Sequence, residues 1–275
     1  MKRWTALVYL VTAALLWSTG GLFIKSVDWT PLGIAGVRSA IAAIALWGFA
    51  RRFRFTWTKV QFAGAIAYCL VVVLFVLANK LTTAANAILL QYTAPIYVAI
   101  FAQRFLEEKV TGLDWFCIVF ALFGMGLFFL DELTVSHFWG NIVAILSGVS
   151  FAWMTLLLRK QKSGSPLESI FLGNCLAALA CLPFVLVELP PSKAWGGLVV
   201  MGVAQLALPY FFFSKAIKHV TAIEAIMIPF LEPILNPIWV IIFVGEKPGK
   251  MALIGGGIIL TSVFIRALGP MMRMT

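Results

Sequence analysis

Three charged side chains, Arg38, Glu224 and Glu232, lie inside long apolar stretches of the sequence. A charge within a membrane segment is costly, so such residues are candidates for binding sites or proton sites. An arginine could clamp a carboxylate with its forked guanidinium, whereas a glutamate could bind an ammonium group or carry a proton. These residue types therefore predict the binding of a small charged solute.

The sequence lacks the residue sets on which an enzyme would depend. Its two histidines, His137 and His219, lie at predicted helix ends in different halves. No P-loop, G-x-S-x-G or H-E-x-x-H motif is present, and the four cysteines have no metal-ligand spacing. An integral-membrane enzyme is the rival class, but we expect no catalytic residue, no metal and no cofactor.

The composition indicates an all-α membrane protein in contact with lipid. The 275 residues are 62% hydrophobic and 12% charged, whereas soluble proteins are roughly 45–50% apolar and about 25% charged. The net charge of +10 is explained by lysines and arginines that flank cytoplasmic helix ends. We expect no nucleic-acid partner, because such binders cluster these residues on a soluble module.

Apolar runs of about 20 residues, the length that spans a bilayer, recur along the chain. They predict ten membrane helices: a first one that ends near residue 24, and others near residues 32–50, 60–78, 83–104, 112–130, 138–158, 167–187, 195–214, 221–244 and 251–268. With the N-terminus in the cytoplasm, fifteen of the 21 Lys and Arg lie at cytoplasmic ends and five at external ends. This bias predicts that both termini are cytoplasmic.

The fourth and ninth predicted helices repeat one pattern. A shift of 138 positions aligns residues 81–110 with residues 219–248 without a gap. The shift superposes Thr83 on Thr221, Asn86 on Glu224, Pro95 on Pro233 and Glu108 on Glu246. Such self-similarity predicts two five-helix repeats, residues 1–135 and 136–275. Because five is odd, the repeats would face opposite ways across the bilayer, which is the inverted-topology geometry that permits alternating access.

Two helix faces are predicted to meet at a central cavity. Glu224 and Ile228 share one face of the ninth helix, because they are four residues apart. Residues spaced by four and three positions form the equivalent face of the fourth helix. These residues are Asn86, Leu90 and Thr93. Glu224 could bind a substrate ammonium there; alternatively it lies wet at its helix N-terminus, where the helix dipole favours it.

The other charges also have two interpretations each. Glu232, next to Pro233, either binds substrate or a proton, or makes an inter-helix hydrogen bond that satisfies backbone groups freed by proline; we favour the second. Arg38 either clamps a carboxylate or snorkels to the outer interface, and its place near a helix start favours snorkelling. Lys80 snorkels in the same way or adds positive charge at the outer mouth of the cavity.

Prolines and deep aromatic residues complete the candidate set. Each proline inside a helix removes a backbone hydrogen bond and kinks the helix, as a hinge or as a static bend. The prolines concerned include Pro95, Pro233 and Pro237. Aromatic residues with a polar atom could line a cavity for a solute with an apolar body, although packing explains any one of them equally. The candidates are Trp17, Tyr92, Trp153 and Tyr210.

The pattern resembles the drug/metabolite transporter superfamily in its EamA-type branch. The residues that carry the resemblance run from Phe230-Leu231-Glu232-Pro233-Ile234 to Gly245-Glu246-Lys247, with Gly36-Val37-Arg38-Ser39-Ala40 in the second helix. The first copy departs from the pattern, since Glu107 stands where Gly245 would align. Within the branch the chain looks most like the YddG-type bacterial amino-acid exporters.

The resemblance implies a secondary transporter of the bacterial inner membrane, with a central cavity lined by both repeats. Its expected substrates are amino acids, aromatic and others; export of another small metabolite or of a drug is the alternative. The small multidrug pumps related to this superfamily use a first-helix glutamate for proton exchange, and no acidic residue lies in the first helix here. Proton coupling and the oligomeric state stay open.

Overall fold

The computed structural model describes residues 1–50, 53–130, 137–235 and 249–272. Every regular element in these ranges is helical. The α-helices are α1 (Arg3–Trp17), α2 (Gly20–Ser26), α3 (Pro31–Phe49), α4 (Lys59–Leu81), α5 (Ala84–Gln91), α6 (Ala94–Leu106), α7 (Gly112–Phe128), α8 (Phe138–Lys160), α9 (Pro166–Val187), α10 (Trp195–Val200), α11 (Leu208–Ala216), α12 (Ala222–Met227), α13 (231–235) and α14 (Lys250–Met272).

Three further segments in the described ranges connect or interrupt these helices: two 3₁₀ turns at Ser192–Ala194 and Ile228–Phe230, and a π-helix at Met201–Ala207.

Seven helical segments in the described part of the chain are long and apolar enough to cross a membrane. They are Pro31–Phe49, Lys59–Leu81, Ala84–Leu106, Phe138–Lys160, Pro166–Val187, Ser192–Ala216 and Lys250–Leu268. Two shorter apolar helices, Arg3–Trp17 and Gly112–Phe128, accompany them. The protein is therefore an all-helical, multi-pass membrane protein, as the composition predicts.

Threonine side chains cap the N-termini of five helices. Thr30, Thr58, Thr83, Thr111 and Thr221 each accept a hydrogen bond from the backbone N–H three residues later, at 3.1–3.3 Å. Such a bond satisfies one of the donors that a helix N-terminus leaves free. Thr83 and Thr221, which the repeat aligns, thus both stand at helix starts.

Several predicted spans are interrupted near their middle. The first helix breaks at Ser18-Thr19, between α1 and α2, and the fourth breaks at Tyr92-Thr93, just before Pro95. The predicted ninth helix changes to a 3₁₀ turn at Pro229. Each proline removes the N–H that a continuous helix would use. The described part of the ninth helix ends at residue 235, so Pro237 lies outside the described residues.

Packing between the two halves is reciprocal. Helix α4 packs along α8, and α1 packs along α11, which is the same pair with the halves exchanged. Likewise α5 and α6 lie against α8, while the Ile228–Phe230 turn lies against α1. Two pairs are their own counterparts: α3 with α9, and α7 with α14. This pattern is what a two-fold relation between two similar halves produces.

Candidate functional site

A cavity lies between the two halves, walled by helices from both. Its lining residues are Trp17, Gly20, Arg38, Val71, Val72, Phe75, Gln91, Phe151, Gln205, Leu206, Tyr210 and Glu232. Its volume is about 50 Å³, room for a few water molecules, each of which needs about 10–15 Å³. A solute larger than that would require the halves to move apart.

Aromatic rings form one wall of this cavity. The ring of Trp17 lies 4.9 Å from that of Tyr210 and 6.5 Å from that of Phe151, in edge-on arrangements. Tyr210 also meets Tyr68 at 4.6 Å. Edge-on rings attract through their quadrupoles, so Trp17 and Tyr210, predicted as cavity residues, form a connected apolar surface there.

Arg38 projects into the cavity and does not snorkel to the interface. Its side chain is 3% exposed, and its Nη2 donates to the Val72 carbonyl at 2.8 Å. No carboxylate in the described residues forms a salt bridge with it, and its Nε has no hydrogen-bond partner. Burial without a counter-charge is costly, which marks this guanidinium as the most unusual group in the wall.

Gln205 supplies a buried acceptor on the opposite side of the cavity. It lies in the Met201–Ala207 π-helix, four residues before Pro209, whose missing N–H cannot bond back to Gln205. Its Nε2 donates to Thr19 Oγ1 at 3.0 Å, in the break between α1 and α2. Its Oε1 is buried and has no partner. A π-helix often marks a functional segment.

Glu232 faces the cavity and is bound to the fourth helix through Tyr92. The Tyr92 hydroxyl lies 2.7 Å from Glu232 Oε2 and 2.8 Å from the Pro229 carbonyl. A hydroxyl that donates to an ionised carboxylate makes a strong, charge-assisted hydrogen bond. Glu232 thus makes an inter-helix hydrogen bond, although its partner is a tyrosine hydroxyl and not a backbone group freed by proline, and the same residue also lines the cavity.

Glu224 lies outside the central cavity, in an ion-pair cluster at one end of the molecule. Its Oε1 is 2.5 Å from Arg3 Nη2 and 3.4 Å from Arg266 Nη1, and its Oε2 accepts from the Thr221 backbone N–H. Arg266 Nε in turn lies 2.5 Å from Asp114 Oδ1. Because its side chain is only 3% exposed, Glu224 is not a wet helix-terminal acid.

A second ion pair lies at the same end. Arg159 Nε contacts Glu108 Oε1 at 2.6 Å, and Glu108 Oε2 accepts the backbone N–H of Ala222 at 2.8 Å. Arg159 also donates to the carbonyls of Ile217 and Lys218. Together with the Glu224 cluster, this pair ties the first turn of α12 to both halves. We call this end the ion-pair end.

Amide and hydroxyl groups, together with the lysine Lys80, lie at the opposite end. Asn86 Nδ2 donates to Asn141 Oδ1 at 2.8 Å, and Thr82 donates to the same oxygen at 2.9 Å. Lys80 Nζ donates to the Val27 carbonyl at 2.8 Å, so it caps the end of α2 there. Asn86, like Glu224, lies away from the central cavity.

The other predicted residues pack beside the helix breaks or away from the cavity. Leu90 and Thr93 are partly buried, and Thr93 Oγ1 donates to the Leu90 carbonyl. Ile228 lies in a groove between α1 and α14, and Trp153 packs on Phe101. Pro95 and Pro233 are buried within interrupted helices.

Sequence reasoning missed two polar residues of the cavity, Gln205 and Gln91. Gln205 is the only amide in the predicted span 195–214, whereas Gln91 shares the span 83–104 with Asn86 and Gln103. A search for intramembrane polar residues rather than charges would have found both. The cavity also includes Gly20, where a Cβ would come within 3.6 Å of Gln205 Oε1. The absence of a side chain there leaves the Gln205 oxygen reachable.

Comparison with known proteins identifies the family. The model of the EamA-like transporter family matches the chain twice, over residues 4–130 and 138–267. The chain belongs to this family. It is thus a member of the drug/metabolite transporter superfamily, and its two matched segments are two copies of one unit. The exact boundary between halves, predicted at 135/136, stays a prediction.

Individual relatives agree with the family assignment. An uncharacterized transporter of Archaeoglobus fulgidus is 28% identical over 259 residues, covering 93% of this chain and 94% of that protein. The threonine/homoserine exporter RhtA of Escherichia coli K12 is 25% identical over 278 residues, covering 95% and 91%. A solved crystal structure superposes with a TM-score of 0.81 at 18% identity, covering 97% and 98% of the two chains, which shows a shared fold.

Proposed function

We propose that this EamA-family transporter exports amino acids of broad range across the bacterial inner membrane. The observation that carries the proposal is the cavity between the halves, whose wall holds a buried cation, Arg38, and a carboxylate, Glu232. An amino acid carries the complementary pair of charges. The similarity to the threonine/homoserine exporter RhtA over nearly the whole chain supports the same substrate class.

We further propose ten membrane crossings, in two inverted five-helix repeats, with both termini in the cytoplasm. The excess of Lys and Arg at one set of helix ends supports this orientation, which makes the ion-pair end cytoplasmic. The reciprocal packing between the halves supports the two-fold relation that inverted repeats have.

Transport would proceed by alternating access around the cavity. In this structure the ion pairs of Arg3, Glu108 and Arg159 hold the start of α12 against both halves at the ion-pair end. These contacts would have to separate for a solute to reach the cavity from the cytoplasm. The breaks at Tyr92-Thr93 and Pro229 supply places where the fourth and ninth helices could bend.

The roles of the candidate residues follow from their positions. Trp17 and Tyr210 would pack against the substrate side chain, and Arg38 and Glu232 would meet its charges. Tyr92 would orient Glu232. We assign Asn86 and Glu224 to the two ends of the transport path, and Leu90, Thr93, Trp153 and Ile228 to helix packing.

Inside-out membrane vesicles test the proposal, because they convert export into uptake. Vesicles that contain the protein should accumulate radiolabelled threonine, homoserine or other amino acids saturably, faster than vesicles from the same strain without it. Equal uptake by both preparations, for every amino acid in the panel, would refute amino-acid export.

A further inference from the structure

Arg38 and Glu232, the two charged residues that line the cavity, differ in their protein partners. Glu232 is held by the Tyr92 hydroxyl at 2.7 Å, whereas Arg38 has one bond to a backbone carbonyl and no counter-charge among the described residues. Burying a guanidinium without a counter-charge is expensive. A structural role would not require that expense, because a neutral donor could serve the Val72 carbonyl equally well.

Arg38 and Gln205 lie on two elements that pack closely together. Helix α3 touches the π-helix closely: a Cβ at Gly202 would lie 2.9 Å from the Arg38 carbonyl and even closer to Ile41. Gln205 follows Gly202 by less than one turn of the same π-helix, so it lies on an element that packs directly against α3. Gln205 is 2% exposed with its Oε1 unpartnered, so two nearly fully buried polar side chains border the same small cavity with unused hydrogen-bonding atoms.

We infer that Arg38 is the carboxylate subsite of the cavity, and that Glu232 and Gln205 Oε1 receive the ammonium group of the same zwitterionic ligand. This assignment rests on the proposed transport function. A guanidinium offers a carboxylate two parallel N–H donors, and the carboxylate and amide oxygens are acceptors suited to an ammonium group. The aromatic wall of Trp17 and Tyr210 is left for the apolar part of the ligand.

Charge balance makes this arrangement selective. A zwitterion neutralises both wall charges at once, whereas a net cation leaves Arg38 unpaired and a net anion leaves Glu232 unpaired. Leaving a buried charge unpaired is the repulsive element by which a site rejects close analogues. The subsite therefore predicts that both the free carboxylate and the free amine are required.

The test compares four related probes on the wild-type protein. The probes are L-valine, its amide, isobutylamine (valine without the carboxylate) and N-acetyl-L-valine, each as a competitor of a labelled amino acid in proteoliposome exchange and as a stabiliser in thermal unfolding. We expect L-valine to compete at least tenfold more strongly than each analogue, and only L-valine to raise the unfolding temperature. Equal competition by the amide or the amine would overturn the carboxylate subsite.

Variants assign the requirement to Arg38. In Arg38→Gln the preference for L-valine over its amide should fall to about one, and in Arg38→Lys it should be intermediate, because a lysine keeps the charge but loses the fork. Lys25→Gln, which removes an exposed cation outside the cavity, should keep the wild-type preference. If Arg38→Gln proves unstable, Arg38→Lys decides the assignment, and a wild-type preference in that variant would refute it.

The outcomes also separate this inference from the proposed function. If wild-type protein exchanges no amino acid at all, amino-acid export fails. If wild-type protein exchanges amino acids and Arg38→Gln keeps full discrimination between valine and its amide, Arg38 is structural and only the subsite is refuted.

Discussion

Tyr92 and Phe230 stack edge-on, with ring centroids 4.7 Å apart and planes at 77°. The 138-residue shift that aligns the two halves converts position 92 into position 230. Two equivalent residues can touch each other only where the symmetry axis passes between them. The pseudo-two-fold axis of the molecule therefore runs through this pair, beside the breaks of the fourth and ninth helices and next to Glu232.

Tyr92→Phe should separate the packing of this pair from its hydrogen bonds. The phenylalanine keeps the ring against Phe230 but removes the hydroxyl that reaches Glu232 and the Pro229 carbonyl. We expect normal expression, a loss of about 1.5–3 kcal/mol in the free energy of unfolding, the range for a hydrogen bond to a charged group, and a raised KM for exchange. An unchanged KM would mean that Tyr92 does not orient Glu232.

The same shift relates the two ends of the molecule. It converts the Asn86–Asn141 contact into the Glu224–Arg3 contact, since 224 is 86 plus 138 and 141 is 3 plus 138. One copy is thus a neutral amide pair, and the other is a partly buried ion pair with Arg266 beside it. The two halves share a fold, but they are held together differently at opposite ends.

Glu224→Gln should change transport without changing substrate preference, because Glu224 lies at the ion-pair end and outside the cavity. We expect the maximum exchange rate to change by a similar factor for all amino acids while the ranking of competitors is kept. The measurement is exchange for several amino acids by one variant preparation. A selective loss for one substrate would instead place Glu224 in the binding site.

Arg3→Gln should weaken closure of the same end. Arg3 bonds both Glu224 and the Ala267 carbonyl, so its loss should lower the free energy of unfolding by about 1.5–3 kcal/mol. Lys2→Gln is the matched control, because it removes the same charge from an exposed neighbour. Equal effects of the two substitutions in thermal unfolding would show that only net charge matters there.

Trp17→Ala should change which amino acids compete, because Trp17 forms the cavity wall with Tyr210. Trp153→Ala is the control: it removes an indole of the same size that packs on Phe101 and Phe105, away from the cavity. We expect the competitor ranking to change in the first variant and to persist in the second. The same ranking in both would make Trp17 a packing residue only.

Gly255→Ala should destabilise the contact between α7 and α14. A Cβ at Gly255 would approach Gly124 and Phe128 backbone atoms closer than 3.0 Å, and such overpacking costs about 1–3 kcal/mol. On the same helix, Gly257 has nothing within 4 Å of a built Cβ. Gly257→Ala should therefore not lower the unfolding temperature, since alanine also favours the helix, and a comparable loss in both variants would contradict this account of the packing.

The sequence predicts the architecture better than it predicts the cavity. Apolar length and the 138-residue repeat are local or periodic signals, so approximate helix positions and the paired halves follow from them. Arg38 illustrates the limit: its place near a helix start favours snorkelling, and only packing of α3 against α9 and the π-helix reveals that it faces inward. Glu224 is the opposite case: the helix pattern predicts it at the central cavity, but it lies at the ion-pair end. Its partners Arg3 and Arg266 are distant in sequence, so no local pattern could reveal them.

Counterflow in proteoliposomes tests the central claim most directly. Purified protein is reconstituted, vesicles are loaded with one unlabelled amino acid per batch, and uptake of a labelled amino acid is followed with and without a pH gradient. The account predicts saturable accumulation of label driven by several different internal amino acids and absent from protein-free vesicles. No accumulation with any internal amino acid would contradict the assignment of amino acids as substrates.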